Sequence, residues 1–167
     1  MFFPVFIDLS EKEILVVGAG TIAERRVHTL CGFSGRITVV APEISPGIRA
    51  DAAKYSISIC EREFSAEDLN GKELVLASTD DRELNRQIYR LCKEKGIMVN
   101  VCSDQSLCDF QFPSVVQKGE VIIGINASGK NHRLVKETRK RVERLLDCEE
   151  SRYEAGGSSF LSEKQEQ

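Results

Sequence analysis

The sequence lacks a long hydrophobic run, and no stretch approaches the roughly 18 consecutive apolar residues of a membrane-spanning helix. Its apolar start, residues 1–7, is short, contains Pro4, follows no positive charge and runs directly into Asp8. That is not the pattern of a secretory signal. We therefore expect neither a transmembrane nor a secreted protein, and predict a cytoplasmic one with no membrane partner.

The six cysteines do not form a recognisable pattern. None lies in a C-x-x-C motif, and the closest two, Cys102 and Cys108, have neither a histidine between them nor a second close pair nearby. This spacing does not match a structural zinc site. Because nothing indicates secretion, we expect the thiols to be reduced. The sequence leaves any metal site unassigned.

The composition is that of a folded globular chain. Its 167 residues are 41% hydrophobic and 29% charged, which suits one domain of ordinary size with room for a small second lobe. The net charge of -3 is uneven, because residues 147–167 carry six acidic but only two basic side chains. That stretch has little periodic apolar content, so we predict a flexible acidic tail over residues 148–167.

Short apolar runs alternate with helical patterns through most of the chain. The predicted strands are residues 14–17, 37–40, 56–60, 74–77 and 97–101, and helices follow the first, second and fourth of them. Strands separated by helices favour a parallel sheet, because parallel neighbours need crossover connections. We predict an α/β fold, a Rossmann-like doubly wound parallel sheet over residues 1–113.

After Pro113 the pattern changes to a hairpin, residues 114–117 and 121–126, followed by a last helix over residues 133–147. These elements bury little apolar surface by themselves. We predict a small α+β lobe over residues 114–147 that binds substrate and packs against another subunit, so that the protein is a homodimer.

The motif Gly18-x-Gly20-x-x-Ala23 lies between the first predicted strand and helix, the context of a dinucleotide-binding fingerprint. Gly18 permits a tight turn, Gly20 lets the backbone approach a pyrophosphate, and Ala23 allows close packing of helix on sheet. The helix N-terminus adds free amides and a positive dipole end. We predict cofactor contacts at Gly18, Gly20, Thr21, Ile22 and Ala23. The alternative is a glycine turn that binds no ligand.

The second predicted strand lacks the acid that normally binds the adenosine ribose of a dinucleotide. Ala41 stands in that place, Glu43 lies two residues further on, and no arginine follows immediately to bind a 2′-phosphate. We predict NAD rather than NADP as the cofactor, with Ala41 and Pro42 beside it.

Polar residues follow two more strands, at the edge where doubly wound sheets bind ligands. Ser78, Thr79 and Asp80 are predicted to line the cofactor cleft, and the alternative is that Asp80 or Asp81 caps the next helix. Asn100 and Asp104 flank the end of the fifth strand. Asp104 is a candidate general base, and its structural alternative is a cap for the turn 104–106.

Near the last helix, Ser128, Lys130 and His132 form a small polar loop that suits either an anion or a helix cap. The other histidine, His28, is interpreted as an ordinary helix residue. Seven cations lie within residues 130–144. No aromatic residues are interleaved with them, so we expect no nucleic-acid partner and favour a small polycarboxylate or a solvated face.

Several segments together resemble a known family. They are Phe3-Pro4-Val5-Phe6, Val16–Gly20 with Ala23–Arg26, Ala77–Asp81 with Leu84-Asn85, Asn100-Val101, and Cys108–Phe110 with Phe112-Pro113. In order and spacing they are similar to the dehydrogenase part of siroheme synthases, also called precorrin-2 dehydrogenase, over roughly residues 1–147.

The resemblance implies NAD-dependent oxidation of precorrin-2 to sirohydrochlorin in siroheme biosynthesis, by a homodimer. The substrate carries eight carboxylates, which would account for the basic last helix and for substrate contacts at Asn100, Ser128, Lys130 and His132. Some family members also insert iron, so ferrochelatase activity is a further expectation.

The sequence departs from the family at a residue implicated in its chemistry. The family aspartate position holds Ser103, and Asp104 follows it, so both are candidate catalytic residues. Ser103 and the missing helical part of many relatives motivate an alternative, a non-catalytic module that binds NAD or a tetrapyrrole and acts with a separate partner.

Overall fold

The computed structural model describes residues 3–129 and 131–156, with side chains through Asp147. The chain divides into two compact units, one ending at Phe112 and the other beginning at Pro113. No helix in the described ranges is long and apolar enough to cross a membrane.

The first unit is built on five strands and three helices. In chain order they are β1 (Ile14–Val17), α1 (Thr21–Leu30), β2 (Ile37–Ala41), α2 (Pro46–Lys54), β3 (Ile57–Glu61), β4 (Leu74–Ala77), α3 (Arg82–Lys95) and β5 (Met98–Val101). Short 3-10 turns lie at Ala66–Leu69 and Gln105–Leu107. The strands form one parallel sheet in the order β3-β2-β1-β4-β5, which confirms the predicted Rossmann-like fold.

Strands β1 and β4 are continuously apolar because both faces of the sheet are covered. On one face, Ala23 and Val27 of α1 and Ile48 of α2 pack with alternate residues of β1 and β2. On the other face, Ile88 and Cys92 of α3 pack with the remaining alternate positions. All of β1 and β4 is therefore buried, and the central strands can meet a ligand only at their ends, of which the carboxyl ends are the usual binding edge.

Helix ends follow the sequence signals. Asp81 precedes α3 and accepts hydrogen bonds from the backbone N–H groups of Glu83 (2.8 Å) and Leu84 (3.0 Å). Of the two aspartates considered as caps, the structure uses Asp81. At the other end of α3, Gly96 adopts the left-handed conformation at φ 69°, which glycine accommodates without strain.

The second unit contains an antiparallel hairpin, β6 (Ser114–Lys118) and β7 (Val121–Ile125), and the helix α4 (His132–Gly156). Val116 is its buried strand residue, while Val121, Ile122, Leu134 and Leu145 stay exposed. The predicted helix end at residue 147 is too early, because α4 continues to Gly156. The remainder of the predicted tail, residues 157–167, lies outside the described residues.

Candidate dinucleotide-binding site

Gly18 closes the turn after β1 at the point where the strand order reverses. Its φ is 101°, and a Cβ added there would lie 2.6 Å from the carbonyl oxygen of Ser78 and 2.9 Å from the amide nitrogen of Thr79. The Gly18 N–H donates to the Val40 carbonyl (2.8 Å), and the Ser78 N–H donates to the Val17 carbonyl (2.8 Å). Only glycine fits between these strand ends.

Helix α1 begins beside this turn with its amides exposed. Its N-cap, Gly20, makes no side-chain cap, and a Cβ added at Gly20 would meet no atom within 4 Å. Thr21 and Ile22 are exposed in the first turn, whereas Ala23 is fully buried against the sheet. The first N–H groups of a helix have no intrahelical acceptor. A diphosphate can therefore approach this backbone and meet the positive end of the helix dipole.

At the end of β2, Ala41 is buried, and Pro42 and Glu43 are exposed on the following loop. No carboxylate belongs to the last position of this strand. The exposed Pro42, next to buried Ala41, thus offers an apolar surface at the same sheet edge as Gly18.

The end of β4 is held by Asn85 of α3, a fully buried side chain. Its amide oxygen accepts hydrogen bonds from the N–H (3.2 Å) and hydroxyl (2.9 Å) of Thr79. Its amide nitrogen donates to the Thr79 carbonyl (3.0 Å) and to the Ser103 hydroxyl (3.3 Å). Asn85 therefore fixes the ends of β4 and β5 to each other. Asp80 is exposed on this edge.

Ser78 is nearly buried, and its hydroxyl lies 2.6 Å from the Cys102 thiol after β5. Cys108 donates from its thiol to the Val101 carbonyl (3.3 Å). Burial raises the pKa of the Cys108 thiol, so this group stays protonated rather than acting as a thiolate nucleophile. These contacts tighten the edge of the sheet.

The side chain of Asn100 forms its hydrogen bonds with other residues of the first unit. Its oxygen accepts from Nη1 of Arg26 (2.6 Å), and its nitrogen donates to the Phe110 carbonyl (2.7 Å). The Arg26 guanidinium lies 5.0 Å from the centre of the Phe112 ring, and burial lowers the pKa of Arg26. The predicted substrate residue Asn100 thus supports α1 and the chain after β5.

Asp104 caps the 3-10 turn after β5. Its Oδ1 accepts from the hydroxyl (2.7 Å) and backbone N–H (3.0 Å) of Ser106. These hydrogen bonds lower the pKa of the Asp104 carboxyl, so it is ionised at neutral pH. Ser103 is exposed beside it. The structural alternative considered for Asp104 is therefore present.

The other predicted substrate residues lie in the second unit. Ser128 is exposed with φ 51°, and His132 is the exposed first residue of α4. The cap of α4 is Asn131, whose side chain accepts from the Leu134 N–H (2.9 Å). Lys130 lies outside the described residues. The structure gathers the predicted cofactor residues at one edge of the first unit and shows Ser128 and His132 in the second.

The cations of α4 are only partly neutralised. Arg133 pairs with Glu137 at 2.8 Å and Arg139 with Glu143 at 2.7 Å. The charged side chains of Lys136, Lys140 and Arg141 project from exposed positions. Among the described side chains, no group of three or more histidine, cysteine or acidic residues could hold a metal ion.

A family model described as "Putative NAD(P)-binding" matches residues 5–114. The chain belongs to this family. In this NAD(P)-binding chain, the matched region contains the Gly18 turn, the open N-terminus of α1 and the edge held by Asn85. The match confirms a nicotinamide dinucleotide as the cofactor class.

The curated proteins similar to this chain include siroheme synthases. The chain is 36% identical over 144 residues to a siroheme synthase of Psychrobacter sp., covering 86% of this chain and 30% of that protein. It is 36% identical over 154 residues to a siroheme synthase of Thioalkalivibrio sulfidiphilus, covering 92% and 32%. The chain thus spans about 30% of the length of these curated relatives.

A solved structure named SirC, precorrin-2 dehydrogenase, superposes with a TM-score of 0.74 at 28% identity, covering 84% of this chain and 69% of that one. Together with the siroheme synthases, it confirms the predicted membership of the siroheme synthase and precorrin-2 dehydrogenase family.

The motif-based prediction of the site in this NAD(P)-binding chain did not include two side chains that the structure places there, Asn85 and Arg26. Asn85 has a visible signal, since it is an amide one position from Leu84 and three from Ile88, on the apolar face of α3. The sequence signal for Arg26 is weaker. A charged residue in α1 is expected to be exposed to solvent, and only the folded sheet places it next to Asn100.

Proposed function

We propose that this chain catalyses the NAD-dependent oxidation of precorrin-2 to sirohydrochlorin in siroheme biosynthesis. The observation that carries the proposal is the Gly18 turn, which has no room for a side chain and leads to the uncapped N-terminus of α1 at the reversal of strand order. It occurs in a chain similar to siroheme synthases and to a precorrin-2 dehydrogenase.

Bound NAD would supply the hydride acceptor for this reaction. The chain would contribute positioning, which accounts for much of the catalysis in a hydride transfer between two bound molecules. The first amides of α1 would bind the diphosphate. Thr79, held by Asn85, and Ser78, beside Cys102, would support the cofactor at the adjacent strand end.

Asp104 and Ser103 stay the candidate catalytic residues. Oxidation of precorrin-2 by hydride transfer also releases a proton, which needs an acceptor. Asp104 is ionised, and among the described residues none donates a hydrogen bond to its Oδ2. This oxygen would accept the proton while Oδ1 keeps its bonds to Ser106.

NAD is proposed over NADP because the described residues offer no unpaired arginine between β2 and β3. The nearest basic side chain of the following helix, Arg49, forms an ion pair with Glu61 at 2.5 Å. A 2′-phosphate would need a free arginine here.

A homodimer is proposed through the second unit, residues 114–147, which would also bind substrate. Its exposed apolar residues are Val121, Ile122, Leu134 and Leu145. Burying such a patch against a second copy would supply the core that a hairpin and one helix lack. The cations of α4, with Ser128, Lys130 and His132, would attract the carboxylates of precorrin-2. A cytoplasmic location likewise stays a prediction.

The second candidate is a non-catalytic module that binds NAD or a tetrapyrrole and acts with a separate partner. The capping role of Asp104 and the serine at the preceding position favour it. Mixing the purified chain with precorrin-2 and NAD distinguishes the two. Sirohydrochlorin absorbance together with NADH formation supports the enzyme, whereas saturable binding without turnover supports the module.

Ferrochelatase activity is a separate proposal in which ferrous iron is a substrate. The same assay with preformed sirohydrochlorin and ferrous iron tests it. Formation of siroheme above the rate without protein supports chelation, and an unchanged rate contradicts it.

A further inference from the structure

The end of β2 poses a question of cofactor specificity. In dinucleotide-binding folds a carboxylate at this position hydrogen-bonds the adenosine ribose. Here the position is Ala41, which is buried and offers no polar atom from its side chain. A chain that binds NAD through this edge needs the acceptor from elsewhere.

The neighbouring strand supplies a carboxylate at the same level. β2 and β3 run parallel, and Glu61, the last residue of β3, is the direct register partner of Ala41. Paired strands lie about 4.8 Å apart, and partners in register present their side chains on the same face. The length of a glutamate side chain spans that gap, so its carboxylate can reach the space above the end of β2.

The carboxylate of Glu61 is held by a cation of the neighbouring helix. Nη2 of Arg49, in α2, lies 2.5 Å from its Oε1. Arg49, together with the backbone N–H of Ile44 in the loop after β2, lowers the pKa of Glu61. The side chain keeps 45% of its surface exposed, so acceptor positions remain available to a ligand.

We infer that Glu61 is the residue that selects NAD, because its carboxylate replaces from β3 the acid missing at Ala41 and accepts a hydrogen bond from an adenosine ribose hydroxyl. A 2′-phosphate in the same place would meet this negative charge. Arg49 would not offset the repulsion, because Glu61 already neutralises it. The inference rests on the proposed binding of NAD at this edge.

Glu43 is the competing carboxylate. It lies two residues past Ala41, is exposed, and makes no hydrogen bond or ion pair with the described residues. A side chain that nothing orients contributes less to recognition than one already held in place. Glu43 therefore serves as the matched control.

The test compares dissociation constants of NAD and NADP, measured by titration calorimetry without substrate. Glu61→Gln keeps the shape of the side chain but removes its charge. We expect NAD to bind roughly tenfold more weakly, as for a lost charge-assisted hydrogen bond, and NADP to bind more tightly because Arg49 becomes free. Glu43→Gln should leave the ratio of the two constants unchanged.

Two further variants separate the causes. Adding Arg49→Gln to Glu61→Gln should abolish the gain in NADP affinity. If Glu61→Gln does not fold, Arg49→Gln alone supplies the test, since it leaves the carboxylate without its cation and should weaken NADP while NAD still binds. An unchanged ratio in folded Glu61→Gln, or in Arg49→Gln where Glu61→Gln does not fold, overturns the inference, as does a shift in Glu43→Gln instead.

This experiment distinguishes the inference from the proposed function. If the wild-type chain binds neither NAD nor NADP, cofactor binding at this edge fails and the inference fails with it. If the wild-type chain binds NAD and the Glu61 variant keeps the same ratio, the cofactor site stands and only the assignment of Glu61 is wrong.

Discussion

Single residues set the geometry of the cofactor site, and the two glycines of the motif do so in different ways. Gly18 is required by its backbone angle and by the strand end that passes beside it. Gly20 adopts an extended conformation with open space around it, so its lack of a side chain matters to a ligand rather than to the fold. Substitutions at the two positions should therefore have separable effects.

Gly20→Asp should abolish NAD binding while the chain stays folded, because it places a carboxylate beside the diphosphate position without touching protein atoms. Gly18→Ala should instead lower the free energy of unfolding, since its Cβ would collide with the Ser78 carbonyl. Calorimetric titration with NAD and thermal unfolding of both variants measure this. Unchanged NAD affinity in the folded Gly20→Asp variant would refute the placement of the cofactor.

Asn85 is a single residue that holds two strand ends together, those of β4 and β5. Asn85→Ala would leave the partly buried Thr79 N–H without its acceptor and should lower the free energy of unfolding by about 1–3 kcal/mol. Gln87→Ala, an exposed amide of the same helix, is the matched control and should change it by less than about 0.5 kcal/mol. Equal losses in the two variants in a denaturant titration would show that the Asn85 network contributes nothing.

At the scale of elements, the sequence predicts the parallel sheet well, because strands buried on both faces read as unbroken apolar runs such as Ile14–Val17 and Leu74–Ala77. The cap at Asp81 and the glycine motif also carry local signals. The role of Glu61 could not be predicted, since it depends on the register between β2 and β3. The same holds for Asn100, whose partner Arg26 is 74 residues away in sequence.

The end of α4 is a helical segment that the sequence pattern did not predict. Residues 148–156 lack a regular apolar stripe, so composition favours a flexible end, yet the helix continues through them to Gly156. The segment contains three glutamates, one arginine and one alanine, residues of high helix propensity, which favour the helix without such a stripe. A search for a periodic apolar stripe does not detect a helix whose sequence lacks one.

At the scale of the whole molecule, the exposed apolar residues of the second unit predict self-association. Replacing both Leu134 and Leu145 with glutamate should convert a dimer to a monomer, because charges would be buried in the interface. Gln117→Glu adds a charge at an exposed polar position and should leave the dimer intact. Analytical ultracentrifugation measures the oligomeric state of each variant, and a wild-type chain that is monomeric at all concentrations would contradict the dimer.

The most direct test of the account is a crystal structure of the chain grown with NAD. We expect the diphosphate within hydrogen-bond distance of the amides that begin α1, with the adenosine over the ends of β2 and β3. Density for the dinucleotide at any other edge of the sheet, or a protein segment filling the space beside Gly20, would contradict the account.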